Sequence, residues 1–115
     1  MPTYEESLEQ FKAETRELGI HIHEELYHAI FDHLGPAVQD RDASLVACSD
    51  DEELKTVKEN FLIGKLGLED GPELDSAIKQ VCGALGQSNR NKHRTTFYYL
   101  LTGILKKESV FISQD

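Results

Sequence analysis

The spacing of apolar residues after Pro72 constrains this chain more than any other feature. Leu74, Ala77, Ile78, Val81, Cys82 and Leu85 fall at offsets of 0, 3, 4, 7, 8 and 11. A helix of 3.6 residues per turn puts all six on one face, whereas a strand would scatter them over both. Pro72 suits the first helical position, where its missing N–H costs nothing, and Gly86 suits the stop. The same period recurs elsewhere. Tyr4, Leu8, Phe11, Thr15 and Leu18 form a stripe opened by a Thr3–Glu6 capping box and ended by Gly19. A second helix is predicted from about His23 to Leu34, with Leu26, Tyr27, Ile30, Phe31 and Leu34 inward and Gly35-Pro36 ending it. Ser49 and Glu52 form a further capping box before Leu54, Val57, Phe61 and Leu62, and that helix ends by Gly64.

A last helix is predicted to start near Asn89 and to carry Phe97, Leu100, Leu101, Ile104 and Leu105. Tyr98 and Tyr99 point about 100° apart on it, so at most one of them should lie deep in the core. Ile20-His21-Ile22 reads as an extended link, Lys65-Leu66-Gly67-Leu68 as a connector, and Pro36 to Cys48 as one or two short turns. Val110-Phe111-Ile112 is apolar and must pack somewhere. No period-2 alternation is long enough to demand a sheet. The expectation is an all-α, compact, single-domain bundle over residues 1–115, with about five main helices and one or two short helical turns.

The chain has 115 residues with 39% hydrophobic and 29% charged side chains, which is ordinary globular composition. No apolar run approaches the ~20 residues that a bilayer span needs, and the first residues carry neither a basic region nor an apolar stretch. The expected setting is the cytoplasm, without a membrane partner. The formal charge of −9 is unevenly placed: residues 1–75 hold 19 acids and 6 bases, and residues 76–115 hold 2 acids and 6 bases. A net −13 thus gives way to +4 within one domain. An acidic background repels polyanions, so nucleic acid is not an expected partner.

The segments His33-Leu34-Gly35, Arg41-Asp42-Ala43-Ser44-Leu45-Val46-Ala47-Cys48-Ser49-Asp50, Phe61-Leu62, Lys65-Leu66-Gly67-Leu68 and Asn91-Lys92-His93-Arg94-Thr95-Thr96-Phe97-Tyr98-Tyr99-Leu100-Leu101 resemble a small bacterial family of uncharacterised all-helical proteins. The likeness spans roughly residues 26–105, and the RDASLVACSD run is its most specific part. The resemblance implies a helical fold and a bacterial origin. It carries over no catalytic or binding residue.

The histidines do not form a metal motif. His23 and His28 are five apart, about 140° around a helix, where HExxH zinc binding needs i and i+4. His28 with Asp32, and His21 with Glu25 if that turn is helical, do have i, i+4 spacing. A small metal-dependent enzyme using the His-rich segment with Asp32, Asp40 or Asp42 is therefore kept as one functional reading, with solvated or capping histidines as the simpler account and no cofactor expected. Cys48 and Cys82 are too few and too far apart for a disulfide framework, and no CxxC spacing exists. Each is expected to be a small buried hydrophobe.

One basic feature stands out, Arg90, Lys92, His93 and Arg94 after Ser88-Asn89. At a helix start, Ser88, Asn89, Arg90, Lys92 and Arg94 suit an anion or phosphate, through N–H groups and charge together. The simpler reading is an internal clamp pairing these bases with the acidic first 75 residues. Cations at a helix N-terminus oppose the macrodipole, so a compensating group is expected. The favoured function is a structural or protein-interaction domain without catalytic activity. The apolar Val110-Phe111-Ile112 and one exposed tyrosine point to a protein partner or a homodimer.

Overall fold

The computed structural model describes residues 4–34, 45–86 and 93–112. Its element order is α1 (Tyr4–Glu17), α2 (Glu24–Leu34), α3 (Asp51–Val57) continuing into a π-helical segment (Lys58–Ile63), α4 (Pro72–Leu85), α5 (Arg94–Ile104) and a 3₁₀ turn (Glu108–Val110). Among the described residues there is no strand; one isolated antiparallel bridge joins Leu45 to His93. The all-helical class is thus established. Thr3 of the first capping box and the Gly35-Pro36 stop lie outside the described residues.

α5 is the centre of the fold, packed by α1, α2 and α4. Thr95, Thr96, Phe97, Tyr98, Tyr99, Leu101 and Thr102 are all buried, which places burial all the way around the helix. A helix apolar or paired on every side belongs in an interior. This corrects the expectation for the tyrosines, since both Tyr98 and Tyr99 are buried. The 100° between them is irrelevant when neighbours occupy both directions. The tyrosine hydroxyls also find partners: Tyr99 donates to the His21 carbonyl at 3.0 Å and accepts from the His23 N–H at 2.8 Å.

The helix boundaries follow local chemistry. α4 has Gly71 before Pro72, buries Leu74, Ala77, Ile78, Val81 and Leu85, and ends at Gly86 with φ +93°. Gly19 ends α1 with φ +83°, a region costly for a side chain. At α3 the cap is Asp50 rather than Ser49. Its carboxylate accepts from the Glu52 and Glu53 N–H groups at 3.0 and 3.4 Å, and a full negative charge at a helix start outcompetes a hydroxyl. α5 begins at Arg94, later than expected, because His93 has extended backbone (φ −60°, ψ 133°). Leu18 is 44% exposed because α1 stops at Glu17 and the next residue leaves the stripe. Ile104, expected inside, is 38% exposed at the last turn of α5.

The π-helical segment was not expected. The Gly64 N–H bonds the Glu59 carbonyl at 3.0 Å and the Leu66 N–H bonds the Phe61 carbonyl at 2.9 Å, five residues back in each case. This wider turn brings the adjacent Phe61 and Leu62 both inside. It also uses Gly64: a Cβ there would lie 2.7 Å from the Asn60 carbonyl oxygen, a backbone atom that cannot swing aside. Gly64→Ala is expected to cost about 1–3 kcal/mol in urea unfolding, the range for overpacking. Gly83→Ala, whose Cβ meets nothing within 4 Å on exposed α4, should instead be neutral or stabilising by about 0.5–1 kcal/mol.

Candidate functional site

Three features border α5, two of them polar. In the first, the imidazole Nε2 of His93 pairs with the Glu14 carboxylate of α1. The ring stacks on Phe11 at 4.0 Å between centroids and is buried. Beside it runs a hydroxyl chain. Thr15 Oγ1 donates to the Phe11 carbonyl at 2.7 Å and lies 2.7 Å from Thr96 Oγ1, which lies 2.9 Å from the Tyr27 hydroxyl. Burial pushes the Tyr27 phenol above its ordinary ionisation range, so it remains a neutral O–H. Glu14, Thr15, Glu17, Leu18, Leu85, His93 and Thr96 border a small cleft of about 190 Å³. His93 Nδ1 is buried without a hydrogen-bond partner. The His93–Glu14 pair and the hydroxyl chain together join α1, α2 and α5.

The second feature is centred on Arg94 at the first position of α5. Its guanidinium pairs with the Glu53 carboxylate of α3, donates to the Leu45 carbonyl at 3.2 Å and to the Tyr98 hydroxyl at 3.3 Å, and lies 5.8 Å from the Tyr98 ring centre. Burial opposes the charge, but Tyr98 and Glu53 outweigh it, and the guanidinium pKa rises above its ordinary value. Glu53 is thus a compensating charge where a cation sits against the helix dipole. Tyr98 continues the cluster by stacking on Phe61, with centroids 3.9 Å apart and planes 14° apart. Phe111 follows at 6.1 Å from Phe61, with His33 at 5.7 Å and Lys65 Nζ at 5.4 Å from the Phe111 ring centre. Burial, then Lys65, lowers the His33 pKa. The Val110–Ile112 segment therefore packs against its own domain, half-buried. With both tyrosines also buried, the apolar surplus that suggested association is gone from those positions.

The third feature is apolar. A groove of about 480 Å³ has an apolar floor of Leu26, Tyr99, Leu100, Ile104 and Ile112, and His21, His23 and Glu108 also line it. A second, of about 430 Å³, lies between α4 and the end of α5 and is lined by Pro72, Ala77, Ile104 and Leu105 together with the polar Glu73, Ser76 and Gln80. Ile104 belongs to both.

Of the five anion-site candidates, Arg94 is placed as described, while Ser88, Asn89, Arg90 and Lys92 lie outside the described residues. Asp40 and Asp42 do as well. His28 Nε2 is 3.6 Å from Asp32, and both side chains are exposed on the outer face of α2. His21 precedes α2, so it has no i, i+4 relation with Glu25. His23 caps α2, its Nδ1 accepting from the Leu26 N–H at 3.2 Å. Among the described residues no group of three or more His, Cys, Asp or Glu side chains gathers as a metal ion requires.

The expectation for the cysteines is overturned: Cys48 and Cys82 are joined in a disulfide, with Cα atoms 6.0 Å apart across 34 residues. The reason is tertiary. Leu45 is held to His93 and Arg94 at the start of α5, α4 packs on α5, and Cys48 and Cys82 stand where the approach to α3 and the last turn of α4 meet. A two-cysteine chain lacks the even, repeated spacing by which a framework is recognised, so only the pairing of helices exposes it. Glu14 and Glu53 were likewise hidden among 21 acids.

The fold and its junctions define a small all-helical domain in which the buried polar side chains hold helices together. Among the described residues, no helix is long and apolar enough to cross a membrane. The chain belongs to a family described as a protein of unknown function (DUF2853), whose family model matches residues 10–109. No curated protein matches it.

Proposed function

We propose that this domain is a non-catalytic interaction domain that pairs with a second copy of itself through the face around Ile104. The observation that carries the reading is the 38% exposure of Ile104 between two apolar grooves. An exposed apolar knob beside an unfilled apolar groove is self-complementary under a two-fold axis, since each copy offers what the other accepts. Charge supports the same arrangement. Exposed Glu73 borders one groove and exposed Lys106 directly follows Leu105, which lines the same groove, so opposite charges stand beside the face and are available to pair between two copies. The use of the polar side chains supports the non-catalytic reading. Glu14 with His93, Thr15 with Thr96 and Tyr27, and Arg94 with Glu53 are spent between helices.

Sedimentation equilibrium of the full chain, from low micromolar to several hundred micromolar, tests this. The mass should rise from monomer toward dimer. Ile104→Glu should weaken association at least about tenfold, because burying such a side chain is worth roughly 1.5–3 kcal/mol, while its melting temperature stays near the parent's. A parent that is monomeric throughout, or an Ile104→Glu variant that associates equally, refutes the proposal.

A further inference from the structure

We propose that Cys48 and Cys82 form a reversible modification site, a thiol–disulfide pair that exchanges with a dithiol while the domain stays folded. Three observations carry this. Both residues are only half-buried, packed at the margin of the core and not within it, which is where exchange with an external thiolate needs no global unfolding. Each stands at the edge of an element: Cys48 lies just ahead of the α3 cap at Asp50, and Cys82 lies in the last turn of α4. The contacts that hold these elements in place do not pass through sulfur. Val46, Val57, Val81 and Leu85 are buried in the common core, and Arg94 binds Leu45 and Glu53 directly. A dithiol form therefore retains its fold, and the disulfide adds a tie across 34 residues to a structure already assembled.

The exchange balances as a two-electron transfer. A thiolate of the dithiol attacks one protein sulfur, the protein S–S bond breaks, and the departing cysteine leaves as a thiolate that takes up a proton. The second thiol of the reagent then attacks the mixed disulfide, freeing the other cysteine, which is protonated in turn. The dithiol ends as its own disulfide, having delivered two electrons and two protons. The local consequence falls on the start of α3. The turn from Ala47 to Asp50, closed by the Asp50 N–H on the Ala47 carbonyl at 3.1 Å, adjoins both Cys48 and the Glu53–Arg94 pair. Reduction loosens this turn and the first α3 amides, and leaves the α5 interior protected.

The test equilibrates the full chain, without denaturant, in buffers of stepped ratio of reduced to oxidised dithiothreitol. Free thiols are then trapped with N-ethylmaleimide and counted by mass. The expected result is a single reversible transition from zero to two adducts. The oxidised form should melt about 10 °C or more above the reduced one, since closing a loop of this length removes substantial denatured-state entropy. Amide exchange at Glu52, Glu53 and Leu54 should quicken on reduction, with Phe97 to Leu101 unchanged. Cys48→Ser should melt like the reduced parent and be indifferent to dithiothreitol. Two adducts at every ratio would overturn the proposal, because the pair never closes. Zero adducts until denaturant is added would overturn it equally, because the bond is then a sealed structural one.

Discussion

Phe61→Ala should lower unfolding free energy by about 3–5 kcal/mol, the range for removing a buried aromatic ring. Small domains are stable by only about 5–15 kcal/mol in total, so this is a third or more of the reserve. The ring is 2% exposed and lies in the π-helical segment, stacked on Tyr98 and close to Phe111. Its loss opens a cavity between α3, α5 and the C-terminal turn, and the stacked neighbours lose their contact surface together. Urea unfolding should show a lower midpoint with an unchanged slope. Phe111→Ala serves as the comparison. Because Phe111 is half-buried at the margin, its truncation should cost less than half as much. Equal costs would mean that the C-terminal turn, and not the stack on Tyr98, holds the cluster.

Arg94→Ala should cost about 2–3 kcal/mol. The side chains of Arg94 and Glu53 are 14% and 24% exposed, so removing the guanidinium leaves a largely sequestered carboxylate without its cation. The Leu45 carbonyl and the Tyr98 hydroxyl lose a donor as well. Bonds to charged groups contribute roughly 1.5–3 kcal/mol, and breaking one side of a buried pair costs more than never having built it. Arg94→Lys should recover only part of the loss, because a single ammonium does not reproduce the planar fork that reaches Glu53, Leu45 and Tyr98. A double-mutant cycle with Glu53→Gln measures the pair itself, and a coupling near zero would show that Arg94 contributes through packing alone. Raising salt from 0.05 to 0.5 M should change that coupling little, since screening acts weakly on pairs removed from water.

Helix identity was legible where periodicity and punctuation agreed. Along α4 the apolar spacing, Pro72 and Gly86 all point to the same element, and its stripe is buried as expected apart from Cys82. α2 was legible for the same reason. Local pattern is ambiguous where two solutions satisfy the same chemistry. Ser49 and Asp50 both suit a helix cap, and charge decided for Asp50. Phe61 and Leu62 fit an α-helical stripe, but the five-residue hydrogen bonds that bury both depend on Gly64 and on what packs against the segment. α5 departs furthest from its amphipathic pattern. An amphipathic reading assumes one dry face, and the stretch from Thr95 to Thr102, buried on every side until the helix emerges at Gly103 and Ile104, offers no such asymmetry to read.

The sequence by itself determined the class of fold, the number of main helices and most of the buried residues, because these depend on spacing within one turn or a few turns of chain. Only the tertiary structure decided which distant side chains meet: Glu14 with His93, Glu53 with Arg94, Cys48 with Cys82. Their separations of 79, 41 and 34 residues leave no periodic trace. Charge and sulfur chemistry say that such groups will pair, and the packing of helices around α5 selects the partner.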